Sequence, residues 1–130
     1  MIEISDKDFS LDKIVSRARH GDVGAVVIFL GIVRNDNIRS IEVESYREAA
    51  LSELECIRDE AMRKFDLIEV DIMHRIGSLN VGDNIALIIC SAAHRKQAFE
   101  GCRFILEELK SRVPIWKKEI TEDGARWVGL

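Results

Sequence analysis

One proline, three cysteines and no apolar run long enough to span a bilayer set the first limits on this 130-residue chain. A membrane helix needs about 18–20 mostly apolar residues. The longest candidate here, residues 24–33, is short and ends at Arg34, so no membrane association is expected. The opening MIEISDKDF is acidic and has no apolar core; an export signal is not expected, and a cytoplasmic location is. Cys56, Cys90 and Cys102 are too few and too scattered for a disulfide framework, and none forms a Cys-x-x-Cys pair. No metal site follows from them. A reducing compartment suits them, with each thiol acting as a small buried hydrophobe. There is no glycine-rich phosphate loop or dinucleotide fingerprint, and no Ser/His/Asp or Cys/His grouping with a local signature.

The net charge of −4 argues against a general nucleic-acid binder, yet the charge is unevenly spread. Between His94 and Lys118 lie seven lysines and arginines against three glutamates, an excess of four positive charges, which leaves the rest of the chain at −8. A local basic stretch on an acidic chain points to a discrete anion site. With 47% hydrophobic and 32% charged residues the composition is that of an ordinary globular protein, and residues 1–130 are expected to form one domain with room for a small appended sheet.

Hydrophobic periodicity gives the order of elements. A short strand at 2–4 leads to a helix that Ser10 would cap, with Leu11, Ile14, Val15 and Ala18 at helical spacing and Gly21 ending it. Residues 24–33, GAVVIFLGIV, read as a buried strand, and Asn35, Asp36 and Asn37 as a turn. Residues 39–46 alternate as a half-exposed strand, Ile41, Val43 and Ser45 on one side. A second helix over 48–65 places Ala50, Leu54, Ile57 and Ala61 on one stripe. Strands at 67–76 and 85–92 flank a turn containing Asn80, Gly82 and Asp83. A third helix from about Ala93 to Arg112 turns Ala98, Cys102, Ile105 and Leu109 inward, and Pro114 stops it. A closing hairpin joins IWKKEI to ARWVG through Glu122, Asp123 and Gly124. The order β-α-β-β-α-β-β-α-β-β implies an α+β domain with a largely antiparallel sheet.

Four places could carry chemistry. His94 and Arg95 open the third helix, where cations make sense if an anion sits on the free backbone N–H groups; a solvated surface pair fits the spacing equally well. Lys110 and Arg112 close that helix, where the dipole favours positive charge. Lys117 and Lys118 must face opposite sides of their strand. If the Lys118 side is solvent, Lys117 points inward and desolvation brings its pKa toward an acid/base range; spacing leaves the reverse assignment open. Arg34 ends the most apolar strand, at the rim of the core where pockets often open, although a plain strand-end charge would look the same. His74-Arg75, in an apolar strand, reads first as structural or interfacial. Spacing alone supports an anion-binding α+β domain.

The blocks GAVVIFLGIVRNDN (24–37), HRIG (74–77), VGD (81–83), SAAHRKQAFEGCRFILEELKSRVPIWKKE (91–119) and DGARWV (123–128) go further. In this order they resemble the molybdopterin synthase large-subunit family across nearly the whole chain. The resemblance implies an α/β-hammerhead-like fold with a small additional antiparallel sheet. It implies a homodimer at the centre of a heterotetramer, with a small ubiquitin-like sulfur-carrier subunit at each end. That partner ends in a Gly-Gly thiocarboxylate, and cyclic pyranopterin monophosphate, a pterin phosphate, receives two sulfurs to become the dithiolene of molybdopterin. No cofactor and no metal are implied. Carried over by position, Arg34, His94 and Arg95 bind substrate and Lys110 and Lys117 are catalytic, with His94 and Arg95 expected to serve the neighbouring copy's pocket. This favours Lys117 over Lys118. Two departures stand out. Many members continue past RWV with a charged tail carrying a further arginine, a contribution expected to be missing or replaced where this chain reaches Leu130. The loop after Arg34 is also shorter than in many members, so closure over substrate is expected to differ.

Overall fold

The computed structural model describes residues 1–128; Gly129, the last residue of the expected final strand, and Leu130 lie outside the described residues. The elements follow in the order β1 (Ile2–Ser5), α1 (Leu11–Ala18), β2 (Ala25–Ile32), β3 (Ser40–Ser45), α2 (Arg47–Phe65), β4 (Glu69–Arg75), β5 (Gly77–Asn80), β6 (Asn84–Ala92), α3 (Arg95–Arg112), β7 (Ile115–Thr121) and β8 (Gly124–Val128). They form two four-stranded sheets, β1-β4-β6-β2 and β5-β3-β7-β8. Every pairing is antiparallel except β1 with β4. The α+β class, and a second antiparallel sheet beside the main one, are as expected.

β5 was not anticipated. Its sequence, GSLN, has one apolar residue, Leu79, and gives no run to detect. Gly77, at φ 96°, lets the chain leave β4 and pair with β3 in the other sheet before β6 returns beside β4. The closing turn at Val81–Asp83 then fastens the end of β2: the Val33 N–H donates to the Asp83 carbonyl at 2.9 Å, and the Gly82 N–H donates to the Val33 carbonyl at 2.8 Å. The residue after this clamp is Arg34.

The main core lies between the first sheet and the α2–α3 pair. Ala50, Leu54, Ile57 and Ala61 of α2, with Ala98, Cys102, Ile105 and Leu109 of α3, pack against Ile4, Val70, Ile72, Ile88 and Cys90. Burial of side chains such as Leu54 and Ile57 contributes about 1.5–3 kcal/mol each. The opposite face of the sheet carries α1, with Ile14 and Ala18 against Met73, Leu87 and Ile89. Central β6 is therefore covered on both sides, which explains its unbroken apolar run. Ser10 is the α1 N-cap, but its side chain makes no capping hydrogen bond. Cys90 and Cys102 are buried as expected; Cys56 is exposed, because the α2 stripe set by Leu54, Ile57 and Ala61 turns position 56 outward. Contact with Cys102 and burial push the Cys90 thiol upward, so it stays protonated. Arg112, read as a partner of the helix dipole, instead ties α3 to α2: Nε donates to Glu53 at 2.7 Å and Nη1 to Glu60 at 2.6 Å.

Gly24 secures the junction between β6 and α3. Its N–H donates to the Ala92 carbonyl at 2.9 Å, and a Cβ there would lie 2.1 Å from the Ala93 carbonyl oxygen. Gly24→Ala must force these backbones apart, at about 1–3 kcal/mol. Its urea midpoint should fall accordingly; an unchanged midpoint would contradict the close approach.

Candidate active site

The chain ends of three elements meet in a cleft of about 570 Å³. β2 delivers Phe29 to Val33 and then Arg34; the last turns of α3 deliver Leu106, Leu109 and Lys110; β7 delivers Lys117 and Glu119. Ile85, Ala86 and Ile88 of β6 supply apolar lining, with His74 of β4 beside them.

Lys117 owes its place to strand alternation. On β7 it pairs with Val43 on one side and Val128 on the other, and Val43 is buried. Lys118 is on the opposite face, its Nζ 5.5 Å above the Trp127 ring, near exposed Trp116. The two-fold ambiguity of the sequence is thus resolved, with Lys117 inward. Desolvation, then the positive charge of Lys110, hold the Lys117 amine below its ordinary range. Such a lysine gives up its proton more readily than a surface one.

Arg34 stands at the cleft mouth, 82% exposed, and is held by Asp36: Nη2 is 2.8 Å and Nε 3.0 Å from the same carboxylate oxygen. Glu119, only 14% exposed, pairs with Arg126 at 2.7 Å. The alternation that turns Lys117 inward turns Glu119 inward as well, a signal the sequence contained at i+2. His74, read from the sequence as structural or interfacial, also lines this cleft. It is 3% exposed and its Nδ1 lies 2.8 Å from the Arg75 carbonyl. Burial, and secondarily the Lys117 charge, push its pKa down to about 4, against a favourable backbone hydrogen bond. It is therefore a neutral imidazole at physiological pH.

His94 and Arg95 are not in this cleft. His94 is the N-cap of α3 and Arg95 its first residue, and both are exposed. At 1.5 Å rise per residue they stand roughly 20–25 Å along the helix from Lys110. One copy of the chain therefore unites Arg34, Lys110 and Lys117 and leaves the His-Arg pair apart.

Other clefts of similar size carry different chemistry. One, of about 610 Å³, lies beside α1 and mixes Lys7, Lys13, Arg17 and Arg75 with Glu3 and Asp8. Among the described residues, no group of three or more His, Cys, Asp or Glu is placed to hold a metal ion, and no helix is long and apolar enough to cross a membrane.

Comparison with known proteins decides the family. The MoaE protein family model matches residues 4–112. The chain belongs to the MoaE family. A molybdopterin synthase catalytic subunit of Pyrococcus abyssi is 43% identical over 126 residues, covering 94% of this chain and 85% of that protein. The crystal structure of molybdopterin synthase from Staphylococcus aureus superposes with a TM-score of 0.92 at 36% identity, covering 98% of this chain and 96% of that one. A chain in the Helicobacter pylori complex of subunits 1 and 2 of molybdopterin-converting factor, at 22% identity and TM-score 0.83, covers 98% of this chain and 89% of that one and shares the fold. This MoaE chain is thus an enzyme of the molybdopterin synthase catalytic-subunit family, as its sequence blocks implied, and the hammerhead-like α+β architecture is the family's own.

Proposed function

We propose that this MoaE chain, as one domain over residues 1–130, transfers sulfur from the C-terminal thiocarboxylate of a small ubiquitin-like carrier to cyclic pyranopterin monophosphate. The product is the dithiolene of molybdopterin, made in the cytoplasm. The observation that carries this reading is the convergence of Arg34, Lys110 and Lys117 on one partly apolar cleft. Both reactants are anions. Two unit charges about 4 Å apart repel by about 4 kcal/mol at the effective dielectric near a protein surface, so a site that joins them needs fixed cations. Arg34, at the mouth, suits the phosphate, once its pairing with Asp36 is exchanged for the substrate. Lys110 and Lys117 suit the thiocarboxylate, Lys110 as a fixed charge and Lys117 as the group that handles protons and the developing oxyanion. Because sulfur arrives on the partner, no cysteine nucleophile is required here.

The homodimer within a heterotetramer is part of the same proposal. β2 is an edge strand of the first sheet, with Ile28 and Ile32 41% and 46% exposed. An uncovered apolar edge strand is a liability that a second copy would relieve. A dimer would also let exposed His94 and Arg95 complete a neighbour's cleft. For the carrier, the Helicobacter pylori protein of this fold offers a precedent in its two-subunit complex.

Reconstitution is the test. Purified protein, thiocarboxylated carrier and cyclic pyranopterin monophosphate should together yield a dithiolene pterin, and omission of any one should abolish it. Absence of product from the complete mixture, with the carrier bound, would reduce this chain to an anion-binding adaptor.

A further inference from the structure

The cleft has many hydrogen-bond donors and few free acceptors. Arg34, Lys110 and Lys117 are cations, and arginine and ammonium groups only donate. The two carboxylates of the lining each hold an arginine through one oxygen, Asp36 Oδ2 on Arg34 and Glu119 Oε1 on Arg126. A lysine at this depth needs an acceptor to fix the direction of its amine.

His74 is built to be that acceptor. It shares a face of β4 with Val70 and Ile72, which pack on the α2–α3 side, whereas Met73 faces α1. The ring is therefore on the cleft side, near enough to Lys117 for the ammonium to disfavour its protonation. A carbonyl oxygen can only accept, so the 2.8 Å contact with Arg75 places the proton on Nδ1. Nε2 is left with its lone pair and makes no hydrogen bond among the described residues. The backbone sets this tautomer, because the Arg75 carbonyl belongs to the same strand end, where β4 gives way to β5.

We propose, resting on the sulfur-transfer reading above, that His74 is a positioning residue for Lys117: its Nε2 accepts a hydrogen bond from the Lys117 amine and aims it into the cleft when the anionic reactants enter. The titratable and charged groups that line the cleft with the ring are Lys110 on α3, Lys117 and Glu119 on β7, and Arg34 and Asp36 after β2. In that largely cationic setting an imidazolium is disfavoured, so His74 keeps its acceptor across the working pH range and does not itself hold the proton.

Two substitutions separate the ring's two nitrogens. His74→Asn keeps a donor near the Nδ1 position and removes the acceptor at Nε2. His74→Gln puts an amide oxygen within reach of the Nε2 position. Losing an acceptor disfavours the ammonium, so, with inorganic phosphate saturating the cleft in place of the anionic reactants, the Lys117 side chain, followed by carbon-13 NMR, should titrate about one pH unit lower in His74→Asn and near its original position in His74→Gln. The limb of the turnover profile that follows Lys117 should move the same way. Turnover should fall about tenfold or more in His74→Asn, with carrier binding retained, and recover largely in His74→Gln. Nitrogen-15 shifts of the wild-type ring should report a neutral ring protonated at Nδ1. An Nε2-protonated ring, or an unchanged Lys117 titration in His74→Asn, would overturn the proposal. Both NMR readings need no turnover. If the wild-type protein made no dithiolene pterin, the functional reading would fail while the NMR still decided the role of His74.

Discussion

Lys117→Ala should reduce sulfur transfer by roughly 10²–10⁴-fold, the range for losing a positioned proton-transfer group, while leaving carrier docking within a few-fold of wild type. The side chain lies inside the cleft, away from the outer face of its sheet, so its removal costs little contact with a docked protein. Nor should the fold suffer. The amine is desolvated and faces the like charge of Lys110, so truncation removes an unfavourable charge and the thermal midpoint should hold or rise. Lys118→Ala is the control. Its amine lies over Trp127 on the outer face, and turnover should stay within about twofold of wild type, since exposed cation–π contacts contribute only about 0.5–1 kcal/mol, here to local stability. Parallel losses of docking and turnover in Lys117→Ala would remove the catalytic assignment. A large loss in Lys118→Ala would reverse the choice of strand face.

Acid should weaken the fold through His74. Its pKa is 6.5 in an unfolded chain and about 4 when folded. Between those values the unfolded chain binds a proton that the folded chain refuses. Stability therefore falls as pH drops through this window and levels off, for this group, below about 4. The gap corresponds to roughly 3 kcal/mol, at about 1.4 kcal/mol per tenfold change. Carboxylates add their own acid dependence, so the informative quantity is a difference. Between pH 7 and pH 4, urea unfolding should show wild type losing about 3 kcal/mol more than His74→Asn. Equal losses would mean that the ring accepts a proton in the folded state and is less buried than its 3% exposure implies.

Much of this molecule was legible in the chain because its strongest signals are periodic. The α2 stripe at Ala50, Leu54, Ile57 and Ala61 and the α3 stripe ending at Leu109 are where helical spacing places them. β5 was not legible: its one buried residue, Leu79, follows a glycine and a serine, and its partner β3 lies far away in sequence. Among the site residues, Arg34 and Lys110 were marked by standing at element ends, and the resemblance supplied their grouping. Lys117 could be narrowed only to one of two neighbours, because alternation tells which residues share a face but not which face is buried. His74 was hidden by its surroundings. In VDIMHR a histidine reads as a tolerated core residue, and only the tertiary approach of β7 gives it a lysine. His94 and Arg95 show the converse. Their place at the start of α3 was readable, and a single chain leaves them at the far end of that helix from Lys110.

The most direct test of the central claim is a crystal structure of the protein soaked with cyclic pyranopterin monophosphate. The phosphate should lie against Arg34, with the pterin reaching toward Lys110 and Lys117. If the phosphate binds elsewhere and the cleft between β2, α3 and β7 stays empty at saturating ligand, the account is contradicted.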